Sequence, residues 1–146
     1  MIILDLDNTI SDDEWRLPYI KSEDYNTLYE KYDLYHRLSC WDLPYHKGLW
    51  QRKGETVIFT ARPEEYSLIT SAWLKRWGVK WDRLYMRPAG NEQSSVVLKT
   101  SLLYKMFAQH RDLDPETITA YDDRKDVLEA FKKYKIKTVH KFINRR

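Results

Sequence analysis

Two aspartates, two residues apart, close the first apolar run of the chain, Ile2-Ile3-Leu4-Asp5-Leu6-Asp7-Asn8-Thr9. In an extended segment, alternate residues point to the same side, so Asp5 and Asp7 face one place. Carboxylates that close repel, and one of them tends to hold its proton. A bound magnesium ion would offset the repulsion and keep Asp5 ionised. One acid can then attack while the other handles a proton. Two further apolar runs end in residues of related use. Thr56-Val57-Ile58-Phe59-Thr60 ends in a hydroxyl, and Arg62, two residues on, can form a bidentate phosphate contact. Thr117-Ile118-Thr119-Ala120-Tyr121-Asp122 ends in the acid pair Asp122-Asp123, hard oxygen donors that suit Mg2+. Lys99, near the start of a helical stretch, can bring a point charge. Phosphate ester hydrolysis needs a nucleophile, a proton donor and positive charge around the phosphoryl oxygens. These residue types supply all three.

The elements that must bring them together are legible as an alternation. Residues 2–5, 56–60 and 117–122 read as short buried strands, and Lys137-Thr138-Val139-His140 as a weaker one. Helical spacing predicts helices over 64–77, 96–109 and 124–134. A further capped helix is expected from Asp42-Leu43-Pro44 through Leu49 and Trp50 to Gly54, with proline near its start and glycine past its end. Strands alternating with helices predict an α/β fold, a Rossmann-like three-layer sandwich with a mainly parallel sheet. Ligands bind such sheets at the carboxyl ends of the strands, so Asp5, Thr60 and Asp122 should meet at one edge. Residues 11–41 break the alternation. They carry Tyr19, Tyr25, Tyr29, Tyr32 and Tyr35, and read as a small helical insertion after the first strand that can stand beside the site as a cap. Most of these rings are expected to pack; one or two can stack on a base.

The ordered set Asp5-Leu6-Asp7-Asn8-Thr9, Thr60, Lys99 and Asp122-Asp123 resembles the four motifs of the haloacid dehalogenase-like (HAD) phosphatase superfamily. Within it, the chain is similar to the 3′-phosphatase module of phage polynucleotide kinase–phosphatases. That likeness rests on Arg16-Leu17-Pro18-Tyr19, Phe59-Thr60-Ala61-Arg62-Pro63-Glu64, Trp73-Leu74, Met86-Arg87-Pro88 and Tyr121-Asp122-Asp123-Arg124-Lys125-Asp126-Val127. The resemblance implies one HAD-like phosphatase domain over residues 1–146. It implies Asp5 as a nucleophile that becomes an aspartyl phosphate, Asp7 as acid and then base, and Lys99 as a third catalytic residue. Mg2+ would be held by Asp5, Asp7 through its carbonyl, Asp122 and Asp123. Thr9, Arg16, Thr60, Arg62 and Arg124 would bind substrate phosphate, with an ion pair to a neighbouring acid as the other reading of Arg124. Two departures stand out. Asn8 replaces a common glycine, and Ser95 stands four residues before Lys99 where the module often has an acid that helps fix the lysine.

Composition narrows the class. Charged residues make up 32% and the formal charge is +3, so a polyanionic partner is permitted but not demanded. The basic tail (Lys137, Lys141, Arg145, Arg146) reads as a solvated end. One cysteine, Cys40, allows no internal disulfide; it reads as a small buried hydrophobe in a reducing, cytoplasmic setting. The opening apolar run is too short for a signal peptide or membrane span. A calcium loop starting at Asp5 would need glycine and an acid where Ile10 and Arg16 stand. His36, His46, His110 and His140 show no metal-ligand spacing. There is no Gly-x-x-x-x-Gly-Lys-Ser/Thr loop, so 5′-kinase activity would need a separate partner. The expected function is removal of 3′-phosphates from DNA or RNA ends. The alternatives are a phosphatase of free (deoxy)nucleotides or other small phosphoesters, and a non-catalytic phosphate-binding domain.

Overall fold

The computed structural model describes residues 1–21 and 28–144; Tyr25, Arg145 and Arg146 lie outside them. Five strands form one parallel sheet: β1 (Ile2–Leu4), β2 (Thr56–Pro63), β3 (Arg83–Arg87), β4 (Thr119–Asp122) and β5 (Lys137–His140). They lie in the order β3-β2-β1-β4-β5. β1 sits in the middle and is apolar without alternation, because both faces of a central parallel strand are covered. Ile3 joins Val57, Phe59 and Ala120 in a core roofed by α4 (Ser95–Gln109) and α5 (Lys125–Lys132). Leu4 joins Ile58 and Leu6 in a second core against Trp73 and Leu74 of α3 (Ser67–Arg76). The result is the expected three-layer α/β architecture. Among the described residues, no helix is long and apolar enough to cross a membrane.

The topology fixes where a ligand can sit. From β1 the chain runs outward through β2 to β3, then returns to the other side of β1 for β4. Strand order therefore reverses beside β1, and the crevice opens at the carboxyl ends of β1 and β4. The register is locked there: Leu4 lies opposite both Ile58 and Tyr121, and Asp5 N–H donates to the Tyr121 carbonyl at 3.0 Å.

Some expectations changed. β3 is an edge strand that the hydrophobic pattern did not announce, since Arg83-Leu84-Tyr85-Met86-Arg87 begins and ends in charges. The helix expected after Asp42 does not form; a single 3₁₀ turn at Lys47–Leu49 stands in its place. The reason is competition for backbone groups. Residues 42–45 run beside residues 10–12, with Asp12 N–H donating to the Leu43 carbonyl and Tyr45 N–H to the Ile10 carbonyl. Cys40 is half-buried rather than buried.

The insertion between β1 and β2 includes α1 (Leu17–Lys21) and α2 (Leu28–Arg37). α3 ends in a Schellman arrangement: Gly78 N–H donates to the Lys75 carbonyl and Val79 N–H to the Leu74 carbonyl, while Val79 and Leu74 share a core. Gly78 has a φ of +73° and open space where a Cβ would stand. Gly78→Ala is therefore expected to cost only backbone strain, about 1–2 kcal/mol, in a urea titration.

Candidate active site

Asp5 leaves the end of β1 with both carboxylate oxygens engaged. Oδ1 accepts from Lys99 Nζ at 2.8 Å, and Oδ2 accepts from Thr9 Oγ1 at 2.8 Å. Lys99 reaches across from α4 and also donates to Asp122 Oδ2 at 2.6 Å. The other Asp122 oxygen accepts the Arg124 backbone N–H at 2.9 Å. Asn8 adopts a φ of 60°, the left-handed region that asparagine tolerates, and its Nδ2 donates to Asp123 Oδ2 at 3.1 Å. Asparagine thus makes the turn that a glycine would make and adds a tie to the acid pair.

Ligand oxygens of Asp5, Asp122 and Asp123 lie within 4.8 Å of one another. Three carboxylates face one ammonium. Burial and then the Asp122 charge push the Asp5 carboxyl well above its ordinary range, against the pull of Lys99. Burial and Asp122 likewise raise Asp123. Burial would lower Lys99, but Asp5 and Asp122 outweigh it and hold it protonated. This is a surplus of hard oxygen donors in a buried place, and it fits a divalent cation of the Mg2+ type.

The Asp7 carboxylate lies outside that group. Arg16 Nη2 donates to Asp7 Oδ1 at 2.5 Å, and Arg62 Nη2 donates to the same oxygen at 2.7 Å. Arg62 Nε spans both Asp7 oxygens, at 3.2 and 3.1 Å. Burial alone would raise the Asp7 pKa; Arg62 and Arg16 overcome it and hold Asp7 well below the ordinary carboxylate range. Both arginines are almost fully buried. Arg16 gives its remaining donors to Asp42, at 2.9 Å from both Nε and Nη2, and to the Tyr35 carbonyl. Arg62 gives its own to Ser11 and Thr70. The two arginines expected on substrate phosphate both grip Asp7. Their charge is already matched by Asp7 and Asp42.

The other expected residues fall in three places. Thr9 is buried and orients Asp5, with no face to the cleft. Thr60 is buried at the end of the apolar run, its hydroxyl accepting the Arg62 N–H at 3.2 Å. Arg124 is exposed and pairs with Asp126 at 2.8 Å. Ser95 lines the cleft at the start of α4; Asp5 and Asp122 anchor Lys99 without an acid at that position. Asp42 is a member of this ion-pair group that sequence reasoning missed. It binds Arg16, Ser11 Oγ at 2.6 Å and Trp15 Nε1 at 2.9 Å. Its place before Leu43-Pro44 suggests a helix cap, which masks the ion pair.

These groups open into a cleft of about 890 Å³, within the range of small-ligand sites. Asp5, Asp7, Asn8, Lys99 and Asp123 line it, and Tyr29, Tyr32 and His36 of α2 stand along the insertion side. Burial, opposed by Asp7 and aided by Arg62 and Arg16, brings the His36 pKa down to about 4, so this ring is neutral near pH 7.

Residues 1–141 match the family model of the polynucleotide kinase PNKP phosphatase domain. A chain in the solved structure of the Pnkp1/Rnl/Hen1 RNA repair complex is similar at 18% identity and a TM-score of 0.65, covering 94% of this chain and 40% of that one. A second structure of the Pnkp1/Rnl/Hen1 complex gives 18% identity and a TM-score of 0.68, covering 94% and 43%. The present chain thus spans about two fifths of those relatives. A hydrolase from Streptococcus pneumoniae TIGR4 matches at 12% identity and a TM-score of 0.60, covering 95% and 90%. At such identities the likeness is one of fold. No curated protein matches the chain.

The buried ion pairs make a stability prediction. Asp42→Asn removes the charge facing Arg16 and should lower the unfolding free energy by about 3–5 kcal/mol. Asp7→Asn should cost less, since the Asp7 side chain is 25% exposed. The Asp7 pKa is depressed by folding, so its contribution is complete above the unfolded value of about 3.9 and is lost as pH falls below it. The Asp7→Asn deficit should therefore narrow below about pH 4 in denaturant titrations. A deficit independent of pH would refute an ionised Asp7.

Proposed function

The chain belongs to the polynucleotide kinase PNKP phosphatase-domain family, and from that premise we propose that it removes 3′-phosphates from DNA or RNA ends through a magnesium-dependent aspartyl-phosphate mechanism. That it is a HAD-type phosphatase follows from the family itself. The observation that carries the magnesium-dependent mechanism is the Asp5–Asp122–Asp123 group, gathered at the switch point of the sheet around Lys99. Mg2+, held by Asp5, Asp122, Asp123 and the Asp7 carbonyl, would neutralise the acids and the phosphoryl oxygens.

The residues divide the work as follows. Thr9 and Lys99 hold the Asp5 carboxylate in position. Asp5 forms an oxygen–phosphorus bond as the ester oxygen leaves, and Asp7 gives that oxygen a proton. Asp7, now a carboxylate, takes a proton from water, whose oxygen attacks phosphorus. The aspartyl–phosphorus bond breaks, freeing phosphate and Asp5. Thr60 and Lys99 would hold the transferring group. In the free protein the arginine grip keeps Asp7 ionised, which suits the second step. The first step requires it to bind a proton, and an incoming phosphate dianion favours this by adding negative charge beside it. Arg16 and Arg62 then act chiefly by tuning Asp7.

The domain is read as single, with residues 11–41 as its cap, and as working in the cytoplasm, where its lone cysteine stays reduced. A separate 5′-kinase would complete end repair. A cleft closed on one side by α2 also supports a second reading, free nucleotides as substrate. Turnover of a 3′-phosphorylated oligonucleotide against nucleoside monophosphates decides between them: equal or better use of the monophosphates would overturn the 3′-end assignment.

Three further outcomes are expected. Asp7→Asn, given p-nitrophenyl phosphate, should release one burst of nitrophenol and then stall, because this leaving group needs no acid while water still needs a base; steady turnover would contradict the role of Asp7. Mg2+ should raise the melting temperature of the wild type. Asp123→Asn should melt higher than the wild type in EDTA, through relief of acid crowding, and respond less to Mg2+. An unchanged Mg2+ response would remove Asp123 from the metal site.

A further inference from the structure

Arg87 ends β3, two strands from the nucleophile, and lines the same cleft. Most cations around this cleft already face an acid. Lys99 pairs with Asp5 and Asp122, Arg62 with Asp7, and Arg124 with Asp126. Arg87 differs. Its Nε donates to the Ala61 carbonyl at 3.0 Å, and its Nη1 to the carbonyl of Gln93 at 2.6 Å and to Asn91 Oδ1 at 3.1 Å. All of these acceptors are neutral. Among the described residues it forms no ion pair, although Glu65 and Glu92 line the same cleft, and its Nη2 has no protein partner. Burial alone depresses its pKa, with no acid pulling the other way.

A half-buried guanidinium held rigid by carbonyls, with its charge unmatched and one nitrogen open, is built to receive an anion. The reacting phosphoryl group is not that anion. It must sit over Asp5, and neighbouring strands are about 4.8 Å apart, so β3 stands roughly 10 Å across the sheet edge from β1. An arginine side chain covers part of that span. What remains is the scale of the step from a terminal phosphate to the next phosphate along a strand. We propose that Arg87 binds the first internucleotide phosphate of a 3′-phosphorylated strand, and so selects a polymer end over a mononucleotide. The inference rests on the 3′-end reading above and adds to it the residue that recognises the polymer.

The test compares a 3′-phosphorylated dinucleotide, which has one internucleotide phosphate, with the matching nucleoside 3′-monophosphate. The wild type should favour the dinucleotide. Arg87→Gln, which keeps a donor for the Ala61 carbonyl but not the charge, should raise KM for the dinucleotide about tenfold more than for the monophosphate, the worth of one charge-assisted contact, with kcat little moved. It should also flatten the salt dependence of the dinucleotide KM by about one counterion. Arg87→Lys should recover part of the preference. Equal losses on both substrates, or an unaltered dinucleotide KM, would overturn the role of Arg87 while leaving 3′-end hydrolysis standing. A wild type that hydrolyses the monophosphate but not the dinucleotide would overturn the 3′-end reading itself.

Discussion

Placing carboxylates in the interior of a protein costs several kcal/mol per ion unless each is met by charge or hydrogen bonds, and the edge of this sheet carries many of them. Two solutions stand side by side. Around Asp7 the chain supplies its own counter-charge: Arg16 and Arg62 face Asp7 and Asp42, and the group is formally neutral. Around Asp5 it does not. Among the described residues, Lys99 is the cation that meets Asp5 and Asp122, with Asp123 close by. One half of the site is therefore complete in itself, and the other is left short of positive charge by an amount that a divalent cation would supply.

This division explains why the insertion after β1 is more than a wall of the cleft. It delivers Arg16 from one end and Asp42 from the other, and the two meet beneath Asp7. Tyr35 closes the group from α2, its ring 4.3 Å from the Arg16 guanidinium carbon and its hydroxyl donating to Asp13 at 3.0 Å. Ser11 is shared by both sides, donating to Asp42 and accepting from Arg62. The setting of Asp7 thus depends on packing within the insertion as much as on the sheet.

Much of this was legible from local signals. The runs before Asp5 and Thr60 are buried on both faces, and the run before Asp122 alternates buried with half-buried residues, so their strand character and their meeting at one edge could be read from local pattern and topology rules. β3 was not, because an edge strand flanked by charges has no such signature. The roles of Arg16 and Arg62 were less legible still. Motif position suggests a phosphate ligand, but whether an arginine faces substrate or a neighbouring acid depends on a partner distant in sequence. Asp42 is that partner for Arg16, 26 residues away, and nothing in its neighbourhood marks it as an ion-pairing residue. Asn8 was the reverse case: an apparent departure whose left-handed backbone and bond to Asp123 account for it.

The arginine grip and the acids around Asp5 also draw on different lengths of chain. Its most distal contact is Thr70, which Arg62 touches, whereas the acids around Asp5 need Lys99 and Asp123 as well. A domain folds as a unit, so neither half is finished without the other. The group around Asp5 nevertheless closes the longer loops, 94 residues between Asp5 and Lys99 and 115 between Asn8 and Asp123, against 55 between Asp7 and Arg62. The half left short of positive charge is therefore the one that clasps the last parallel strands to the first.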